Sequence, residues 1–350
     1  MRLDDESGEG RSGESWKSGV FLCVLPRPRP CISTVNCLEL YHQIRCRQSS
    51  FSLQAMAKVL CALHNVITFS NTFRNQLSIP FDVYLDIQCS IQEVVNDALG
   101  WRSPNWHLLN ACPPCSYKGC IQGESKLTPE RMQAMDGNSL LKRVETMGHT
   151  DTHVFESDYF ISPSDINRFK DDVKIRPGTI KATTLVNKED PPPHGFEQTV
   201  CTENWIAANT VSTETVKIFE QTGVFVLVCR HGLIQTLVEM RWSGELAKYG
   251  LATLNKILDM FGDDQTVRYD ITCSHVATVT ASSIVDKAKC HRLVLAVNAF
   301  HGHAHNLICQ LNNHPTYLPG VGIEDLETCK QVFASSNAVA RVVRFSSHFH

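Results

Sequence analysis

Three acidic residues occupy positions where a strand is expected to end or a helix to begin. They are Asp136 in Met135-Asp-Gly-Asn138, Asp270 in Val267-Arg-Tyr-Asp-Ile271 and Glu327 in Ile323-Glu-Asp-Leu-Glu-Thr328. Asp-Gly is by itself a turn signal. Asp270 interrupts an apolar run, where a buried carboxylate is costly unless a cation or hydrogen bonds compensate it. Glu327 is expected in the first turn of a helix, where the dipole favours an acid whatever its job. Carboxylate oxygens are hard ligands suited to Mg²⁺ or Mn²⁺. Two such ions held among three acids would activate water or a 3′-hydroxyl and stabilise the leaving oxygen in phosphodiester cleavage and strand transfer. Spacing along the chain does not by itself bring the acids together.

A second constellation is built from sulfur and imidazole. The chain holds 15 Cys and 15 His. Cys112-Pro-Pro-Cys115 has the two-residue spacing of half a tetrahedral Zn²⁺ site, and Cys120, Cys229, His231, Cys273, His303, His305 and Cys309 are sources for the remainder. Cys112, Cys115, Cys273, His303, His305 and Cys309 form the candidate zinc set, with hydrogen bonding to the acidic site as their other use. Simple buried thiols compete with zinc. A redox pair is disfavoured because no strand-to-helix context follows the two cysteines. His301-Gly-His-Ala-His305 places imidazoles at alternate positions, on one side of an extended chain but not of a turn. The segment is similar to the HxHxDH pattern of metallo-β-lactamase-type hydrolases, with His305 and Asn306 standing where Asp and His belong. A histidine-based metallohydrolase is therefore a further alternative.

These residues need elements to hold them. From Val224 the pattern reads strand to Cys229, turn Arg230-His-Gly232, strand Leu233–Met240, amphipathic helix near Gly244–Phe261 capped by Gly262, and strand Val267–Ile271. A helical or irregular link, a strand at Leu293–Val297 and a helix from about Glu324 complete a mixed α/β sheet. Upstream, Leu53, Met56, Leu60 and Leu63 share a helical face, as do Val83, Ile87, Ile91, Val94 and Ala98 after Pro80, with Gly100 as the stop. Residues 1–37 form a low-complexity leader containing Pro26-Arg-Pro-Arg-Pro30 and are expected to be disordered. Residues 38–110 read as a helical region and 111–350 as the core, with a poorly patterned insert at about 144–218 that includes Pro191-Pro-Pro193.

Composition bounds the function. The 350 residues carry 33 Lys+Arg against 36 Asp+Glu, a formal charge of −3. A general basic excess is thus absent, and any DNA contact must come from local patches. No apolar run approaches the roughly 20 residues needed to span a bilayer, so no membrane association is expected. The acidic, Gly/Ser-rich start lacks the features of a secretory signal, which places the chain inside the cell.

Six phrases in order carry a resemblance: Met135-Asp-Gly-Asn-Ser-Leu-Leu-Lys-Arg143, Thr222-Gly-Val-Phe-Val-Leu-Val-Cys-Arg-His-Gly232, Ser243-Gly-Glu-Leu-Ala-Lys-Tyr249, Tyr269-Asp-Ile-Thr-Cys-Ser274, Asn298-Ala-Phe-His-Gly-His-Ala-His-Asn306 and Gly320-Val-Gly-Ile-Glu-Asp-Leu-Glu-Thr-Cys329. With Phe81-Asp-Val-Tyr-Leu85 and Asn110-Ala-Cys-Pro-Pro-Cys115 upstream, the chain resembles KDZ (Kyakuja-Dileera-Zisupton) transposases of the fungal cysteine-cluster-associated type, from about residue 38 to 350. The resemblance implies an RNase H-like core with a DDE triad at Asp136, Asp270 and Glu327, the last preferred to Glu324. It also implies two Mg²⁺ or Mn²⁺ ions, DNA as partner, a homo-oligomer and a nuclear location. Lys142, Arg143, Arg230 and His231 are the candidate phosphate contacts. The phrases depart from the family at Asp136-Gly-Asn-Ser-Leu140 and Glu220-Gln-Thr-Gly223. Family members have a cysteine-cluster domain upstream and continue past the helix of the third acid, so a truncated or degenerate copy is expected. A catalytically inactive, zinc-stabilised DNA- or protein-binding remnant is the alternative.

Overall fold

A computed structural model describes residues 20–22, 32–65, 71–117, 123, 125–146, 157–172 and 218–347. The chain divides into two compact units, Met1–Arg102 and Ser103–His350. Most of the leader, Cys120, Pro191–Pro193 and residues 147–156 and 173–217 of the insert lie outside the described residues.

In the first unit a short strand β1 (Val20–Leu22) pairs antiparallel with β2 (Ile32–Thr34). Three helices follow, α1 (Val35–Arg47), α2 (Leu53–Leu63) and α3 (Asn71–Ala98). Ser52 caps α2 by accepting from the Ala55 amide at 3.1 Å, as an N-cap serine should. The helices meet through Leu38, Tyr41, Met56, Ala57, Leu77, Phe81 and Tyr84. The expected face after Pro80 is corrected by this packing. α3 starts upstream of Pro80 and runs through it, so the buried stripe is Leu77, Phe81 and Tyr84, at i, i+4 and i+7. Val83, Ile91 and Val94 are exposed instead.

The second unit is mixed α/β. It begins with two short helices, α4 (Trp106–Asn110) and α5 (Pro113–Ser116). Its six-stranded mixed sheet comprises β3 (Arg131–Asn138), β4 (Arg143–Val144), β5 (Phe219–Cys229), β6 (Ile234–Arg241), β7 (Gln265–Arg268) and β8 (Val294–Ala296). Apart from β4, the strands lie in the order β6-β5-β3-β7-β8. β5 is antiparallel to both neighbours, while β3, β7 and β8 run parallel. β4 continues the pairing of β3 along β5 after an irregularity. From the insert, α6 (Pro163–Asn167) and Ile161, Ile166 and Phe169 join the main core.

The apolar run of β5 is continuous because the strand is covered on both faces. Phe225 and Leu227 pack with Leu251, Leu254 and Leu258 of α7 (Ala247–Phe261). Val224, Val226 and Val228 point the other way, onto Ala134 and Cys329. Gly262 ends α7 at φ 73°, the positive-φ position that a glycine suits. Each fully buried leucine in this layer contributes about 1.5–3 kcal/mol.

Beyond α7 the chain forms α8 (Thr272–Thr280), α9 (Val285–Cys290), α10 (Ala299–Gly302), α11 (Leu307–Asn313), α12 (Thr328–Ser336) and α13 (Ala340–Val343). Three expectations are corrected here. Asp136 lies within β3 rather than in a turn, because the partner strand β5 pairs with it through Asn138. The strand expected at Val267–Ile271 is Gln265–Arg268, and Asp270 sits in the turn beyond it. There Thr272 Oγ1 lies 2.7 Å from the Tyr269 carbonyl and 2.6 Å from that of Ala296, turning the chain into α8. The last long helix starts at Thr328, so Glu327 is its N-cap rather than part of its first turn.

Candidate active site

β3 and β7 are parallel neighbours with Ala134 opposite Arg268. Asp136 lies two residues beyond Ala134 on β3 and Asp270 two residues beyond Arg268, in the turn after β7, and the Asp270 charge reaches Asp136. Alternation then gives Ala134, Asp136 and Arg268 a common face. Arg268 is completely buried and its guanidinium pairs with the Asp270 carboxylate. Asn298 Nδ2 donates to the same carboxylate oxygen of Asp270 at 3.1 Å. Asp136 Oδ1 accepts from the Gly137 amide at 2.8 Å. Burial, followed by the charges of Asp270 and Glu245, pushes the Asp136 carboxyl up to about 7, with Arg268 opposing.

Glu245 is the acid that sequence reasoning missed as a site residue. It sits between the end of β6 and the start of α7 and accepts a hydrogen bond from the Tyr269 hydroxyl. Gly137 makes room for it, since a Cβ there would lie 2.3 Å from Glu245 Oε2. Burial raises the Glu245 carboxyl, the Tyr269 bond opposes this, and the Asp270 charge adds to the rise. The available signal was an acid at the strand-to-helix junction in Ser243-Gly-Glu245, the same kind of position that singled out the other three.

Glu327 approaches from α12, which packs on the sheet through Cys329 beside Ala134. The Cys329 thiol is raised by burial and then by Asp136, with Asp270 and Glu327 adding to it. The fields of all three acids therefore reach one sulfur. Both Glu327 carboxylate oxygens are buried without a hydrogen bond, although Lys330 Nζ stands 2.7 Å away as an ion-pair partner. The residue before it, Leu326, is buried at φ 55°. A bulky side chain in the left-handed region is strained, a feature that concentrates at functional positions.

The cysteines and histidines divide into two groups. Cys112, Cys115, Cys229 and His231 bring their ligand atoms within 4.8 Å of one another, and so do Cys273, His305 and Cys309. In the first, Cys112 precedes α5, Cys229 ends β5 and His231 stands in the turn closed by Gly232 at φ 84°. His231 Nδ1 is 3.4 Å from Cys112 Sγ and 3.3 Å from Cys115 Sγ, and the Cys112 and Cys229 sulfurs are 3.7 Å apart. Tetrahedral zinc with ordinary bond lengths sets sulfur–sulfur and sulfur–nitrogen separations of about 3.8 and 3.6 Å. The hydrogen bond from Cys115 brings the Cys229 thiol down to about 5, whereas burial leads the rise of Cys112. A Zn²⁺ ion would take all three sulfurs as thiolates.

The candidate zinc set is therefore regrouped. Cys112 and Cys115 join Cys229 and His231, not Cys273, His305 and Cys309. His303 belongs to neither group, its ring lying 5.2 Å from that of His314. The three histidines of residues 301–305 do not share a side, because the segment is a short helix and turn rather than a strand. Among the candidate phosphate contacts, His231 faces the thiols. Arg143 is buried and paired with Glu220 at 3.5 Å, so its charge is committed inside the unit. Lys142 Nζ lies 5.6 Å over the Phe219 ring. Arg230 is partly exposed and binds Glu324 at 2.7 Å. Among the described residues no helix is long and apolar enough to cross a membrane.

Residues 129–350 match a family model described as Kyakuja-Dileera-Zisupton transposase. No curated protein and no solved structure matches the chain.

Proposed function

The chain belongs to the Kyakuja-Dileera-Zisupton transposase family, and from that premise we propose that it cuts and joins DNA with metal ions held by Asp136, Asp270 and Glu327. The observation that carries this reading is the pairing of β3 with β7 at Ala134 and Arg268, two residues before Asp136 and Asp270, together with the charge of Asp270 acting on the buried Asp136. Glu245 is the fourth acid of the site. We also take the sheet as an RNase H-like core. Such a core has a central first strand, an antiparallel hairpin on one side and two parallel strands on the other. Counting β3, β5, β6, β7 and β8 as first to fifth, the order β6-β5-β3-β7-β8 has that form.

Mg²⁺ or Mn²⁺ at these carboxylates would supply activation of the attacking hydroxyl and stabilisation of the leaving oxygen. The chain's own residues do the rest. Arg268 and Asn298 hold Asp270 in place. The Tyr269 hydroxyl fixes Glu245, and burial with the Asp270 and Glu245 charges holds the Asp136 carboxyl up at about 7. Cys112, Cys115, Cys229 and His231 would hold Zn²⁺, which would tie the segment around α5 to the β5–β6 turn and stabilise the fold. DNA is the substrate, a nuclear location follows from it, and a homo-oligomer that pairs two DNA ends is the working assembly.

Calorimetry with Mn²⁺ on the purified, zinc-containing chain tests the reading. Binding that falls at least tenfold in Asp136→Asn, Asp270→Asn and Glu327→Gln, with nicking of DNA lost in Asp270→Asn, is the expected result. Nicking unchanged in Asp270→Asn would refute the acid site. Absence of Mn²⁺ binding in a folded, zinc-loaded chain would favour the non-catalytic, zinc-stabilised alternative.

A further inference from the structure

Cys273 stands in the first turn of α8, just beyond Asp270, while His305 and Cys309 flank the start of α11. The described segments are far apart in sequence, yet the three ligand atoms converge within 4.8 Å. Cys309 Sγ lies 3.4 Å from His305 Nδ1, near the separation of about 3.6 Å that a shared tetrahedral zinc would impose. Asn306 caps α11, its Oδ1 accepting from the Cys309 amide at 2.8 Å, and Asn313 Nδ2 lies 3.5 Å from the Cys309 sulfur. The His305 ring also hydrogen-bonds the main chain of Asp270. Metal-bound imidazoles characteristically spend their second nitrogen on a carbonyl or carboxylate, which fixes the ring. The partner here is the backbone of a candidate catalytic residue.

We infer that Cys273, His305 and Cys309 bind a second Zn²⁺ ion, with solvent in the fourth position, and that this ion clamps the Asp270 turn to the segment 298–309. Two sulfurs and one imidazole are a soft donor set that selects zinc over the hard ions proposed for the acids. The clamp is independent of the Cys112 group, since the two share no residue. From the same segment Asn298 reaches Asp270 at 3.1 Å, so ordering this segment orders the carboxylate. The positioning role rests on the reading of Asp270 as a metal-binding acid, whereas the zinc site itself does not.

Zinc released from the native chain is counted with a chromophoric chelator after thiol modification, and Co²⁺-substituted protein is examined for thiolate-to-cobalt charge transfer. Two equivalents in the native chain are expected, with one lost in Cys309→Ser or His305→Ala and the other lost in Cys229→Ser. His305→Ala is further expected to weaken Mn²⁺ binding about tenfold, the low end for loss of an outer-shell support. One equivalent that vanishes in Cys229→Ser and survives in Cys309→Ser would overturn the inference. Should Cys309→Ser not fold, the native count decides: two equivalents sustain the site, and one or none overturns it. A zinc count of two without any Mn²⁺ binding would keep the zinc site while refuting the acid site and, with it, the positioning role.

Discussion

Replacing Asp136 by Asn should make the metal-free chain more stable at neutral and alkaline pH. The Asp136 carboxyl, ordinarily near 3.8, sits at about 7 in the fold because of burial and the neighbouring Asp270 and Glu245 charges. A group whose folded-state value lies above its unfolded value binds its proton more tightly in the native state. Its contribution is full below about pH 4 and is lost as the pH rises toward 7. The difference between those two values corresponds to about 4 kcal/mol, which is the ceiling for the penalty of holding an ionised Asp136 in this site. Asn is isosteric, keeps an oxygen for the Gly137 amide and carries no charge. Thermal and urea unfolding of both proteins without added divalent metal should therefore coincide near pH 4. At pH 8 they should separate, the variant gaining up to about 4 kcal/mol. For a unit of this size that is about 8–16 °C in Tm. Added Mn²⁺ should stabilise the native chain alone, and binding at pH 6 should release close to one proton per site. A variant no more stable than the native chain at pH 8 would show that Asp136 is not an electrostatically strained carboxylate, and the reasoning would fail.

Two further perturbations probe the same site. Arg268→Met removes a fully buried guanidinium from beside Asp270; unfolding should show a loss of about 3–5 kcal/mol at pH 8 that shrinks as the raised Asp136 carboxyl, which Arg268 also faces, takes up its proton below about pH 7, and a pH-independent loss would contradict the charge-coupling assignment. Gly137→Ala would set a methyl 2.3 Å from Glu245 Oε2; displacement of Glu245 should weaken Mn²⁺ binding in calorimetry at least as much as Glu245→Gln does, while an unchanged affinity would remove Glu245 from the site.

The family match covers all six quoted phrases, and the longest elements of that stretch were legible for a physical reason. β5 is a long unbroken apolar run, β6 and α7 are long and patterned, and glycine turns bound them, so local pattern and tertiary burial agree. Where they failed to agree, packing decided. The stripe Val83, Ile91 and Val94 on α3 is apolar yet exposed, because the helix starts upstream and meets its neighbours through Leu77, Phe81 and Tyr84. Asp270 follows a strand only four residues long, and the turn beyond it is held by hydrogen bonds from the Thr272 hydroxyl to the Tyr269 and Ala296 carbonyls.

The sequence alone determined which chemical groups were available: acids at element ends, a two-residue cysteine spacing and a family resemblance in the order of phrases. It could not say which of them meet. The pairing of β3 with β7 is a cross-strand property, and with the turn after β7 it brings Asp136 near Asp270 and Arg268. Glu245 entered the site only because Gly137 leaves it space and Tyr269 points a hydroxyl at it. Cysteines and histidines sort into sets only when strands and helices close long loops, which is why Cys229 and His231, rather than Cys273 and Cys309, complete the group begun by Cys112 and Cys115. Side-chain chemistry is local and can be read along the chain, whereas coordination and charge coupling fall off within a few ångströms and belong to the fold.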